Sequence, residues 1–395
     1  MSDDFIFTSE SMTAGHPDKL CDQISDAIVD QYLVADPNAR IVAESVLTSG
    51  VMFISSHYAS KATLDIADIA RQVVSSVGYP KEIFDADACT IMTSFTDHTA
   101  SDYIALDFDK LDDDYIDSLV SKHQVTVFGY ACDQTADLMP LPVWLAHCLS
   151  KQLDSPKVRK QLPYLLPDAK AQVGIEYLNG KPSRIHSLTL VASQLNADVG
   201  VGQLRADLLE HVVQPVMAQV EWDIDDRTML AVNPEGLLIG GGPAAHSGLT
   251  GRKTGVDTYG EYARHSGAAL SGKDPLRVDR VGAYAARHVA RNLVAAGLVD
   301  ECEVALSYAV GAAGPVSVRV RAFGDSVSYS NGELAEKVKA LFDLRLGAIV
   351  RDFALTKLPA QSDGFYRKLA CYGQMGRVEL DPPWERNDKV DALKA

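Results

Sequence analysis

A chain of 395 residues with 47% apolar and 23% charged side chains has the profile of a globular protein and room for two or three domains. Its net charge of −16 argues against general affinity for nucleic acid or acidic membranes, and no run approaches the roughly 18 apolar residues of a membrane helix. The start MSDDFIFTSES is acidic and polar, unlike a secretory leader, and Cys21, Cys89, Cys132, Cys148, Cys302 and Cys371 form no CxxC pair. A reduced, cytoplasmic protein without a zinc or disulfide framework is expected.

Residues 17–33 read as a helix: Pro17 suits a first turn, and Leu20, Ile24 and Ile28 recur at helical spacing. A strand follows at 41–47, then a helix at 62–77 that stops at Gly78. The Asp- and Tyr-rich stretch 101–122 is weakly periodic and reads as a mobile active-site loop. Residues 173–178, Asn179-Gly180 and 185–191 spell a hairpin. A helix over 203–220, a glycine-rich stretch after Asn233, and a helix at 280–296 ending near Gly297 come next. Strands at 303–310 and around Val316, Val318 and Val320 precede a last helix at 332–344. This order predicts an α/β fold (α+β-type layers) of three similar domains, each a mixed sheet covered by helices. The expected parts are residues 1–100, the loop 101–122, a central domain 123–232 and a C-terminal domain 233–395.

Three clusters carry chemistry. Gly15-His16-Pro17-Asp18-Lys19 opens the first helix, where the helix end favours anions; a plain capping turn is the simpler alternative. Pro167-Asp168-Ala169-Lys170-Ala171-Gln172 lies between a loop and a strand. The run from Gly240 to Thr254 is glycine-rich and holds His246, Arg252 and Lys253, but its spacing is not that of a P-loop. Downstream come Lys273, Asp274, Arg277, Asp279 and Arg280. An acidic protein that binds a polyphosphate must gather its cations in one place, and these clusters are where it does so.

Taken in order, FTSES…GHPDK, PDAK, GLTGRK…VDTYG and SGKDP..VDR..AYAARHVA, with FGYA, LMP, FDLR and YG..GR…PWE, resemble the methionine adenosyltransferase (S-adenosylmethionine synthetase) family over nearly the whole chain. The resemblance implies three α/β domains about a pseudo-threefold axis, in homodimers or homotetramers with active sites at the dimer interface. It implies ATP and a small thioether as substrates, with the sulfur attacking C5′ and the triphosphate leaving as pyrophosphate and phosphate. By the same resemblance His16 stabilises departure, and Lys170, Arg252, Lys253 and Lys273 hold the phosphates. Asp18 and Asp279 carry Mg²⁺, Glu44 is the K⁺ carboxylate, and Asp168 touches the nucleoside. Leu237 and Leu238 stand where the family stacks an aromatic on adenine, and Leu166 replaces an arginine.

The sulfur-substrate positions depart from the family. His57 stands for a glutamate, His98 for a glutamine, His123 and His246 for aspartates, and Arg277 for a lysine. His147, His186, His211 and His288 fall in ordinary helix or strand patterns and read as structural. Losing acidic partners for an ammonium points to a thioether that lacks the amino group or is more anionic. The alternatives are an ordinary methionine adenosyltransferase, a histidine site for a transition metal, a non-catalytic paralog, and a triphosphate hydrolase.

Overall fold

Helix α1 (Pro17–Ala35) is the element around which the chain is arranged. Pro17 starts it, and the His16 ring accepts the Asp18 N–H through Nδ1 at 3.2 Å. From Pro17 to Asp30 every residue is buried, the polar ones included. Leu20, Ile24 and Ile28 fill the core as their spacing predicts. The opposite face holds Asp18, Asp22, Asp26 and Asp30, one per turn. A buried carboxylate needs donors, and each finds them on a distant segment. Asp18 accepts Leu249 N–H, Asp22 Gly251 N–H, and Asp26 Gly272 N–H. Asp30 accepts the N–H groups of Tyr366 and Arg367.

The computed structural model describes residues 4–324, 329–362 and 364–395. Three sheets form in them, and none uses one continuous stretch of chain. In the first, Phe5–Met12 pairs antiparallel with Leu165–Leu178, which forms the expected hairpin with Lys181–Gln194. Met229–Val232 and Leu238–Ile239 add to it in parallel. In the second, Arg40–Thr48 lies between Gly248–Leu249 and Val51–Ala59, and Thr90–Asp97 closes the far edge. In the third, Glu301–Tyr308 is flanked by Ser317–Phe323 and Val125–Cys132. Each sheet is covered by helix: Leu141–Leu153 on the first, α1 on the second with α2 (Ile66–Val77) packed against α1, and Val278–Ala295 on the third. This is the three-domain, mixed-sheet α/β architecture that the sequence predicts.

Helix α2 ends at Gly78 in the left-handed conformation (φ +87°), and Asp65 caps its start. Helical turns run from Val201 to Met217, where the periodicity places a helix. The stretch 101–122 carries short helical pieces at Phe108–Lys110 and Asp113–Ser118, with Ile116 fully buried and Phe108 nearly so. Arg345 anchors it from the C-terminal side through Asp113 and Asp117 at 2.7 and 3.0 Å.

Burial pushes the Asp30 carboxyl up to about 7, against the pull of its two N–H donors. The folded chain therefore holds this proton more tightly than the unfolded chain does. The resulting stability is full below the ordinary carboxylate range and is lost as pH rises through about 7. Thermal melts between about pH 5 and pH 8 should fall with rising pH, and by less in Asp30→Asn. Equal slopes in the two proteins would show that Asp30 does not titrate in this window.

Candidate active site

The three sequence clusters converge at the start of α1. Thr13 ties the first to the second: its hydroxyl donates to Pro167 O at 2.6 Å and accepts Ala169 N–H at 2.8 Å. Met12 is in register with Lys170. Gly15 has to be a glycine, because a Cβ there would lie 2.4 Å from Pro167 O. Asp168 ties the second cluster to the third. Its buried Oδ2 accepts Gly242 N–H at 2.7 Å and meets His246 Nε2 at 2.9 Å. The His246 and His16 rings are 5.0 Å apart.

His16 is held well below the usual imidazole range, at about 2. Burial is the main cause, and Lys170, Lys253 and Lys19 add to it. The ring is therefore neutral. Since Nδ1 accepts the Asp18 N–H, the proton sits on Nε2, and His16 offers the site one N–H donor.

Three of the four predicted phosphate cations are paired with carboxylates. Arg252 lies 2.7 Å from Asp18, Lys253 2.7 Å from Glu10, and Lys273 3.0 Å from Asp279. Lys170 has no ion pair among the described residues. Leu238 is 41% exposed, on the short strand that leads into the loop against Asp168; Leu237 is half-buried just before it. Glu44 is exposed on the outer face of the second sheet, one step along from Val42, which is in register with both His57 and Lys273.

The predicted sulfur-substrate residues meet in pairs, and no hydrogen bond or ring contact joins one pair to another among the described residues. His57 and His98 are exposed and stacked, with ring centroids 5.9 Å apart. Arg277 Nη1 donates to His123 Nε2 at 2.8 Å; arginine has no acceptor, so that ring nitrogen accepts. These two line a cavity of about 170 Å³ with Arg40, Lys122, Asp102 and Asp274. His246 belongs with His16 and Asp168, and the ligand atoms of these three lie within 4.8 Å of one another. They are nonetheless a poor transition-metal set as arranged. The His16 Nδ1 lone pair is spent on Asp18 N–H, and its Nε2 carries the proton.

Sequence reasoning missed the residues beneath the site. Lys19 is fully buried between Asp22 at 2.8 Å and Asp257 at 2.5 Å. Arg280 is fully buried against both oxygens of Asp26. The available signal was an aspartate at every fourth position of the helix, from Asp18 to Asp30.

Family models for S-adenosylmethionine synthetase match the chain in three consecutive parts: the N-terminal domain over residues 4–100, the central domain over 118–238 and the C-terminal domain over 240–386. The chain belongs to the S-adenosylmethionine synthetase family. It is 42% identical over 412 residues to the S-adenosylmethionine synthase of Trichodesmium erythraeum, covering 100% of this chain and 97% of that one. It is 44% identical to those of Synechococcus sp. strain JA-3-3Ab (98% and 97% covered) and of Picosynechococcus sp. (100% and 98%). As a member of this family the chain is a transferase that moves the adenosyl group of ATP. No helix of the described residues is long and apolar enough to cross a membrane.

The Gly15 contact gives a test of this junction. Gly15→Ala should cost about 1–3 kcal/mol in denaturant unfolding, because the added carbon must push the start of α1 from the Pro167 loop. An unchanged midpoint would mean that the junction yields freely.

Proposed function

We propose that this S-adenosylmethionine synthetase homologue is a methionine adenosyltransferase. The methionine sulfur lone pair attacks C5′ of ATP, the C5′–O5′ bond breaks, and triphosphate leaves. Water then splits the triphosphate into pyrophosphate and phosphate. A thioether has no proton to lose, so no base is required, and the demand falls on groups that stabilise the leaving charge. The observation that carries this reading is the convergence of His16, Lys170, Arg252 and Lys253 at the start of α1, with Lys273 on a loop held farther along the same helix, in a protein of net charge −16.

In this mechanism the neutral His16 donates its Nε2–H to the departing oxygen. Lys170, Arg252, Lys253 and Lys273 hold the phosphates. Asp18 and Asp279 are hard oxygen donors beside those cations, suited to Mg²⁺, which neutralises triphosphate charge when bound. Glu44 would serve K⁺. Asp168 orients the nucleoside, and Leu237 and Leu238 give adenine an apolar contact. The outer face of the second sheet exposes Val46, Phe53, Met92 and Leu249, which favours a homodimer closed on that face over the active site. The stretch 101–122, held by the buried Ile116 and by Arg345, would act there as the cover. All six cysteines are free thiols, in keeping with a cytoplasmic protein.

A second reading has its own observation. The cavity beside His123 holds three cations, Arg40, Lys122 and Arg277, against two carboxylates, Asp102 and Asp274, which pair with Lys122 and Arg277, and the His57–His98 pair itself carries no carboxylate. A thioether lacking the amino group, or carrying a further anionic group, suits that balance. Competition between methionine, its methylthio-2-oxo acid and a thioether dicarboxylate, with the sulfonium products followed by mass spectrometry, separates the two. Methionine should win on kcat/KM. Preference for an amino-free thioether would establish the second reading, and phosphate release without any sulfonium would defeat both.

Arg252→Ala should lower kcat by about 100- to 1,000-fold, the usual loss for one group that stabilises leaving charge. KM for the sulfur substrate should barely move. A change confined to that KM would place Arg252 on the acceptor instead.

A further inference from the structure

We propose that Asp22 and Asp26 are positioning residues that aim the phosphate-binding cations from inside the core; this rests on the adenosyl-transfer reading. Each holds the glycine immediately before such a cation. Asp22 Oδ1 accepts Gly251 N–H at 2.7 Å, and Arg252 and Lys253 follow. Asp26 Oδ1 accepts Gly272 N–H at 2.8 Å, and Lys273 follows.

Both joints are built in the same way. Gly251 and Gly272 have φ of +75° and +80°, a region that side chains disfavour. A Cβ at Gly251 would come 2.2 Å from the Ala269 Cβ, and one at Gly272 would come 2.0 Å from Ala43 O. The loops therefore turn where they do because glycine permits it and a carboxylate on α1 holds the turn. Each carboxylate is itself fixed by a buried cation. Lys19 donates to the other Asp22 oxygen at 2.8 Å. Arg280 grips Asp26 through both terminal nitrogens and also donates to Lys273 O at 2.8 Å. One turn of α1 separates the two aspartates, about 6 Å along the axis, so a single rigid helix sets the spacing of both loops. Asp22 and Asp26 touch no substrate; they act through Arg252, Lys253 and Lys273.

Asp22→Ala and Asp257→Asn provide the comparison. Each weakens the charge balance of Lys19, but Asp257 reaches Lys19 alone, whereas Asp22 also holds Gly251. With thermal melts to report folding, kcat in Asp22→Ala should fall about 100-fold, the scale of a misplacement near 1 Å. Its affinity for inorganic tripolyphosphate, measured by calorimetry, should fall as well. Asp257→Asn should keep both close to wild type. Asp22→Asn, which retains an oxygen acceptor for Gly251, should recover most of the loss. Should Asp22→Ala not fold, Gly251→Ala breaks the same joint from the loop side, leaves the buried ions intact, and should give the same loss of kcat and affinity. The proposal is overturned if Asp257→Asn loses as much as Asp22→Ala, or if Gly251→Ala keeps wild-type affinity. Wild-type protein that forms no sulfonium would defeat the adenosyl-transfer reading, while tripolyphosphate binding would still decide the positioning claim.

Discussion

The structure depends on one buried row of charge. Asp18, Asp22, Asp26 and Asp30 enter the core on a single face of α1, where an unpaired carboxylate would cost several kcal/mol. Each is offset by backbone N–H groups from segments more than 200 residues away, and two are also offset by buried cations. The helix thus exchanges solvent for a set of donors drawn from distant segments of the chain. Removing one partner strands the other in a dry interior, so the row fixes where the C-terminal segments lie as firmly as apolar packing does.

That constraint explains how an acidic protein keeps a cationic site in order. Basic side chains gathered along one helix repel one another, and three of them are stationed on carboxylates: Arg252 on Asp18, Lys253 on Glu10 and Lys273 on Asp279. On the proposed reaction Asp18 and Asp279 would hold Mg²⁺, which would offset triphosphate charge, and Arg252, Lys253 and Lys273 would take the phosphates, so the groups already stationed in pairs are those the reaction needs.

Elements governed by local rules were legible in the sequence. Helices α1 and α2, the Asn179-Gly180 hairpin and the strand Glu301–Tyr308 follow from periodicity and turn chemistry, and Gly78 stops its helix as read. What periodicity does not carry is partnership. Phe5–Met12 pairs with a strand some 160 residues later, and Val125–Cys132 joins a sheet with residues beyond 300. The stretch 101–122 looked loop-like because its aspartates dilute the pattern, yet Ile116 is a core residue, packed where Gly347 leaves room. The site residues near glycines were visible. The carboxylates beneath them were not, because a buried aspartate declares itself only through its distant donors.

The five departures on the acceptor side are of two kinds. At His246 the family carries an aspartate, and in this chain Asp168 stands 2.9 Å away. Histidine there turns a carboxylate–carboxylate approach into a hydrogen bond, so the change is satisfied within the protein. His123 and Arg277 likewise satisfy each other, the ring nitrogen accepting where the guanidinium must donate. His57 and His98 are different: both are exposed, and their one ring contact is with each other. A side chain that its own protein leaves unsatisfied is available to a ligand or to a second subunit. Among the five positions, His57 and His98 are therefore the pair whose side chains the described residues leave without a hydrogen bond.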